Sequence, residues 1–401
     1  VFVGVPVVAS TLVADGGTAA PAQRPRLEPL PTLYDQPTRG SLAEDEEWVA
    51  GVRKVDWTPD DVAAVPGLFD PPVADRRVAF AGDVPGGRVA LVLARLEDGR
   101  LVGAWLTGPE GAPSEEMAAV QPFEPARYHP VVLWDAPGSA PGRSLLVAVG
   151  HPGDRVEYRA GVEVTAAGES REVWLPLETQ EGAGAALVDV PVSWPIGSAV
   201  LRYERDGRTR PVGSMQYTPR ADAAVQAPVA VADPRGLLDE VDGESLQWLV
   251  RSLEFTYGLP ADRLDPTLLA GGPVGNGSSS TALVGVTLPS GATAAALAEF
   301  WATSDSAAGM TNTVAIGPWP AGTALHDRVV AVPTANSITV SGPAGGVRAE
   351  VLLADGTVSA ALPLVDGAGT ASIVPPAPDS VRVLDAAGEV LAEVPVSEGA
   401  G

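Results

Sequence analysis

An ordered series of local signals between about Ser41 and Arg220 returns, worn, between about Asp242 and Val396. A chain that carries one pattern twice must fold as two similar units, or as one unit completed by its copy. The series opens with a tryptophan-bearing helical stretch, Glu47-Trp48-Val49-Ala50-Gly51-Val52-Arg53, matched by Gln247-Trp248-Leu249-Val250-Arg251. The loops at Trp57 and Tyr257 follow. Next come hairpins from Val89 to Trp105 and from Thr281 to Trp301, turning at Gly99 and Gly291, 192 positions apart. Met117 and Met310, Ala148-Val149 and Ala331-Val332, and Leu175-Pro176-Leu177 and Leu362-Pro363-Leu364 continue the order. Turns at Asp206-Gly207 and at Asp385 to Gly388 close it. Any single match is trivial in so alanine- and valine-rich a chain. The shared order carries the inference.

Within each copy the period of the apolar residues changes. Ser41 and Glu44 have capping-box spacing and predict a helix start, while Trp48, Val52 and Val55 form one stripe of that helix. Thr58-Pro59 reads as the cap and first turn of a second short helix. The period then drops to two. Strands are predicted at Arg77–Ala81, Val89–Leu96, Val131–Trp134, Ser144–Val149 and Val156–Val164, the last with one buried face and one wet face. Val173–Leu177, Ala186–Val190 and Ala199–Glu204 complete the first copy. Seven short runs between Arg328 and Val394 repeat the rhythm, with glycine or proline between them.

The predicted fold is therefore mainly β with small α+β units. It consists of two diverged tandem repeats, each a helix-plus-hairpin unit followed by an Ig-like antiparallel β-sandwich. The expected segments are an apolar end and Pro-rich linker over 1–40, an α+β unit over 41–130 and a sandwich over 131–220. A linker over 221–240, a second α+β unit over 241–325 and a second sandwich over 326–398 complete the division.

Composition limits the function classes. A net charge of −24 and a single lysine, Lys54, argue against nucleic acid as a partner, because no basic stripe exists to release counterions. No cysteine is present, so no disulfide, thiol nucleophile or thiolate-held metal is expected. Val1–Val13 is apolar but shorter than the roughly 20 residues a bilayer span takes. With the spacer of five prolines between Gly16 and Pro37, it suggests an extracytoplasmic chain tethered to a membrane through its N-terminus.

Chemistry-bearing motifs are scarce. The three histidines, His129, His151 and His326, have no metal-ligand spacing. His151-Pro152-Gly153-Asp154 has two readings: a base oriented by Asp154, or a surface turn, which is the commoner use of Pro-Gly. Gly275–Ser280 lacks the lysine of a phosphate loop, and no Gly-x-Ser-x-Gly elbow occurs. The aspartates near Asp60 and Asp262 suit caps better than the spacing of a calcium loop. Trp48, Trp248, Trp105 and Trp301, at matched positions, are expected in cores. Trp194 and Trp319, each followed by proline in loop-like sequence, are the better candidates for contact with a ligand or partner.

The expectation is a non-catalytic binding, adaptor or sensory ectodomain of a bacterial surface protein, without cofactor, whose partner is a protein or a cell-envelope glycan. The alternatives are a hydrolase of envelope polymers using carboxylates or His151 with Asp154, and a structural subunit of a surface assembly. The hydrolase requires titratable groups converging in a pocket. The structural subunit requires an exposed apolar patch.

Overall fold

The computed structural model describes residues 31–57, 70–120, 122–126, 128–135, 144–179, 182–188, 201–212, 214–218, 228–274, 279–301, 309–334, 336–373 and 377–396. Val1–Val13, the second predicted helix at Thr58 and Trp194 lie outside them.

The chain is mainly β, with several antiparallel sheets. After α1 (Glu46–Val52), β1 (Arg76–Val84), β2 (Gly87–Arg95), β3 (Leu101–Gly108) and β4 (Ala118–Ala119) form one sheet in sequential order. Eight strands follow: β5 (Val131–Asp135), β6 (Ser144–Val149), β7 (Arg155–Val164), β8 (Ser170–Pro176), β9 (Ala183–Val188), β10 (Leu201–Arg205), β11 (Arg208–Pro211) and β12 (Ser214–Thr218). They divide between a sheet ordered β12-β5-β6-β9 and one ordered β11-β10-β7-β8. Only the β5–β12 pair is parallel among these.

The second half begins with α2 (Gly243–Tyr257) and α3 (Ala261–Leu264). β13 (Thr267–Val274), β14 (Ser279–Thr287), β15 (Thr293–Trp301) and β16 (Gly309–Trp319) again pair in sequential order. β17 (Val330–Pro333), β18 (Ser337–Ser341), β19 (Arg348–Leu352), β20 (Val358–Pro363), β21 (Ala368–Ser372), β22 (Ser380–Leu384) and β23 (Val390–Pro395) then form sheets ordered β17-β18-β21 and β20-β19-β22-β23. Strand for strand this is the order of the first half. Among the described residues, β17 has no counterpart of β12 beside it.

Each half is a stack of four layers, and the alternation within strands assigns each side chain to one seam. In the first half, Ala90, Val92, Ala104 and Leu106 pack on the helix layer with Trp48 and Val52. Their neighbours Leu91, Leu93 and Trp105 face the other way, onto Val131, Leu133, Leu145, Val147 and Val149. The alternate residues Val132, Trp134, Leu146 and Ala148 meet Val156, Leu201 and Tyr203 of the outer sheet. The second half repeats the three seams around α2, Leu297 and Val340. A sheet covered on both faces has no wet side, which is why β5, β6 and β17 read as nearly unbroken apolar runs, while β18 alternates with buried Ser337, Thr339 and Ser341.

Two local devices recur with the layers. A bulge falls at Ala79, between the Val78 and Phe80 pairings, and at Leu269, between those of Leu268 and Ala270. Five hairpins share one turn: the glycines Gly99, Gly168, Gly291, Gly356 and Gly388 all sit at φ between 81° and 84°. Each donates to the carbonyl three positions earlier, as Gly99 does to Leu96 at 2.9 Å. A side chain there would force an L-residue into the left-handed region, so the sequence places glycine.

Several expectations need correction. α1 is capped by Asp45, whose carboxylate accepts from the Trp48 amide, while the Ser41 hydroxyl accepts from the Asp83 amide. The Leu42 amide donates to Ala81, which holds the segment against β1 and delays the helix. Trp105 faces Leu91, and the residue across from the corresponding Leu283 is Leu297; Trp301 pairs with Ser279, four residues further along. Ala331-Val332 lies on β17, whose counterpart is β5 rather than the Ala148-Val149 strand. The Asp206-Gly207 hairpin has two central residues at positive φ, 53° and 70°, unlike the Gly388 turn. Leu175-Pro176-Leu177 and Leu362-Pro363-Leu364 do correspond: Pro176 pairs with Glu157 as Pro363 pairs with Arg348.

Candidate functional site

The expected wet face of β7 is where the two halves meet. The register slips between Arg159 and Gly161, and beyond that slip Val162 and Val164 pack on the core of α2 rather than on their own sandwich. Gly161 and Gly258 permit the approach. A Cβ on Gly161 would lie 2.5 Å from the Tyr257 carbonyl oxygen, and one on Gly258 would lie 1.9 Å from that of Ala160. Only glycine at both positions lets strand backbone and helix end touch. Around this contact, Phe255 reaches Trp134 with ring centroids 6.1 Å apart, and the Arg159 guanidinium lies 6.0 Å from the Phe255 ring. The Ala321 amide donates to Ala166 at 2.9 Å, tying the β7–β8 turn to the loop after β16.

A cavity of about 360 Å³ opens in this joint. Val162, Glu163, Val164 and Thr165 line it from the first half, and Tyr257, Leu259, Leu288, Pro289 and Ser290 from the second. Its size and apolar walls suit a small-molecule seat, for which roughly 300–1,000 Å³ is usual. Tyr257, only 9% exposed, makes no hydrogen bond through its hydroxyl among the described residues. Burial pushes its pKa up to about 12, so the hydroxyl keeps its proton and remains a donor. Glu163, at the exposed rim, pairs with Arg171 at 2.5 Å. The hydroxyls of Thr165 and Ser290 accept from the Glu169 and Ala292 amides.

The histidines lie elsewhere and differ from one another. His151 is 4% exposed and Asp154 is 2% exposed, so neither belongs to a surface turn. The Asp154 carboxylate accepts from the His151 backbone amide at 2.7 Å, and the Arg205 guanidinium grips both its oxygens, at 2.6 and 2.7 Å. It thus locks the turn and holds an arginine; the imidazole Nε2 has no partner among the described residues. Burial, joined by the positive charges of Arg205 and Arg39 and opposed by Asp154, lowers the His151 pKa. These influences favour the neutral ring. His129 stands edge-on to Tyr203, with ring centroids 5.8 Å apart, while His326 is exposed beside Asp327.

Trp319 is half-buried at the joint itself. Its ring lies under the Arg328 guanidinium, and the chain at Trp319-Pro320 presses on Gly168 of the first half. Trp48 is buried with its indole N–H donating to Ala112 at 3.1 Å, and Trp248 is half-buried against the core of α2. Among the described residues, no three His, Asp or Glu side chains converge to hold a metal ion.

Sequence reasoning placed Val162 and Val164 in their own sandwich and passed over Tyr257, Leu259 and Leu288. Two glycines carried the missing signal: Gly161 inside an otherwise alternating strand and Gly258 at a helix end. Both mark a close backbone approach. A scan against protein-family models finds no match, and a search of curated proteins finds none either.

Proposed function

We propose that the chain is a non-catalytic extracytoplasmic binding or adaptor module, built from two diverged tandem copies of a helix-plus-hairpin unit and an Ig-like sandwich. Its ligand seat is the joint between the copies. The recurring strand order, bulge and hairpin turn support the duplication. The apolar N-terminal stretch and the proline spacer support the membrane tether. The cavity walled by both halves, with an unpartnered tyrosine donor, carries the binding reading. It favours an apolar group, whether free or presented by a protein, over an envelope glycan, whose hydroxyls would find few partners on these walls.

Calorimetric titration with ethylbenzene tests this reading. The full chain binds it, and Val164→Phe, which fills the cavity, weakens binding at least about tenfold for a loss near 1.4 kcal/mol. Absence of binding to the unsubstituted chain overturns the reading. The hydrolase alternative predicts turnover of envelope polymers that is lost in His151→Ala.

One observation favours the structural-subunit alternative: Val347, Val358, Val365, Val390 and Leu391, all exposed, belong to the outer sheet of the second half or its loops. A ladder of ion pairs, Arg348–Glu350–Arg382–Glu393, crosses the same sheet and interrupts that apolar surface.

A further inference from the structure

We infer that the joint selects a neutral ligand with an apolar, ring-sized body and one hydrogen-bond acceptor oxygen, which takes the Tyr257 hydroxyl proton in a hydrogen bond. This inference rests on the binding reading above and adds the chemistry of the ligand. Three observations lead to it.

The first is the tyrosine. Two buried tyrosine side chains carry hydroxyls with no hydrogen-bond partner among the described residues, and the two hydroxyls differ in their access to solvent. That of Tyr203 is sealed within the first sandwich. That of Tyr257 belongs to a side chain lining the cavity and is not sealed. An open donor set among apolar walls offers a ligand acceptor a hydrogen bond in exchange for the one it makes to water, with the modest net gain of a neutral pair.

The second is the wall. Val162, Val164, Leu259, Leu288 and Pro289 present no donor or acceptor from their side chains, so the ligand body must be apolar. The hydroxyls of Thr165 and Ser290 accept from backbone amides and keep their own protons, but Thr165 is exposed and Ser290 half-buried. Tyr257 is the buried side chain with a donor in this wall.

The third is charge. Among the described residues, Glu163 is the one carboxylate at the rim and no basic side chain lines the cavity. An anion would meet a like charge with no partner, and a cation would leave water for apolar walls with only a rim carboxylate already paired to Arg171. A neutral carbonyl, ether or hydroxyl oxygen fits both constraints.

Acetophenone and α-methylstyrene test the inference, because they share a shape and differ by the carbonyl oxygen. Both are titrated calorimetrically into the full chain and into Tyr257→Phe. Urea midpoints first verify that the variant folds as the unsubstituted chain does, the expected result where the lost hydroxyl made no bond.

The expected result is that Tyr257→Phe weakens acetophenone about fivefold, the scale of one neutral hydrogen bond, and leaves α-methylstyrene unchanged. If both compounds bind and the substitution affects them equally, the donor plays no part; this inference falls while the binding reading stands. If neither compound binds the unsubstituted chain, both fall. Tyr257→Trp, which shrinks the cavity, provides an independent check: it weakens both compounds if they occupy the joint, and an unchanged affinity for both places them elsewhere and overturns the inference.

Discussion

The inner seam of the first half is hydrocarbon, and the same seam of the second half sets a cluster of threonine hydroxyls beside its hydrocarbon. Val89, Val147 and Ala185 meet between the first two sheets of the first half. The hairpin and strand registers place Thr281, Thr339 and Thr370 at the corresponding points. There the Thr339 hydroxyl donates to Thr281 at 3.0 Å, and both lie within 3.2 Å of that of Thr370. Thr281 and Thr339 are fully buried. The layers tolerate either filling because each is internally consistent: apolar groups meet apolar groups, or hydroxyls satisfy hydroxyls.

The sheet ends of the two halves diverge in the same manner. Gly150 and Gly342 follow β6 and β18, and their amides donate to Gly182 and Gly367 at 2.8 Å in each case. An arginine from the preceding segment donates to each glycine's carbonyl: buried Arg39 to Gly150 at 2.7 Å, and half-buried Arg235 to Gly342. The turn beyond is held by Asp154 and Arg205 in the first half, while in the second the Gly346 amide closes Pro343-Ala344-Gly345-Gly346 onto the Pro343 carbonyl, with no side-chain bond among the described residues. Backbone geometry is shared and the side chains that secure it are not.

The joint itself offers the most severe way to break this correspondence. Gly258→Val places a Cβ against the Ala160 carbonyl at a residue with φ of 63°. The expected loss is about 3–5 kcal/mol, among the largest for a point change. Urea unfolding followed by fluorescence then separates into two transitions as the halves uncouple. A single unshifted transition would show that the contact does not join them.

Core truncation at corresponding positions comes next. Trp105→Ala is expected to cost about 3–5 kcal/mol and Leu297→Ala about 2–5 kcal/mol, with the tryptophan the larger because its truncation removes more buried atoms. The reverse order, measured from denaturant midpoints, contradicts the register that equates them.

Exchanging the seam fillings sharpens the comparison. Val147→Thr buries a hydroxyl among hydrocarbon and is expected to cost about 1–3 kcal/mol. Thr339→Val leaves Thr281 and Thr370 bonded to each other and costs about 1 kcal/mol or less. Equal costs would mean that the hydroxyl cluster is worth nothing as a cluster.

The smallest effect concerns pH. The folded pKa of His151 lies below its ordinary value of 6.5. Between the two values the unfolded chain binds the proton and the folded chain does not, so this contribution to stability is present above pH 6.5. It declines as pH falls below that value, until the folded pKa is reached. Urea midpoints at pH 7.5 and 5.5 should therefore converge in His151→Gln relative to the unsubstituted chain. No such convergence removes His151 as a source of acid sensitivity.

Much of the strand pattern was legible because turns and alternation are local. Ser144–Val149 and Ser337–Ser341 begin and end where the sequence places them, and the Gly99 and Gly291 turns were visible as Asp-Gly and Ser-Gly between apolar runs. The N-cap of α1 was misread because the Leu42–Ala81 hydrogen bond that delays the helix is non-local. Trp105 and Trp301 look equivalent by chemical likeness, but register, which is non-local, makes Leu297 the counterpart of Trp105. The candidate seat was illegible for a related reason. Its residues come from β7, the end of α2 and the β14–β15 hairpin, and only their packing brings them together. His151 and Asp154 were legible as a pair, but not Arg205, which occupies the carboxylate from 51 residues away.

A methyl NMR titration of the full chain with ethylbenzene tests the ligand seat most directly. The prediction is that Val162 and Val164 of one half and Leu259 and Leu288 of the other shift together, along one binding curve. Shifts confined to the His151 end of the first sandwich, or to one half alone, would contradict a seat shared by the two.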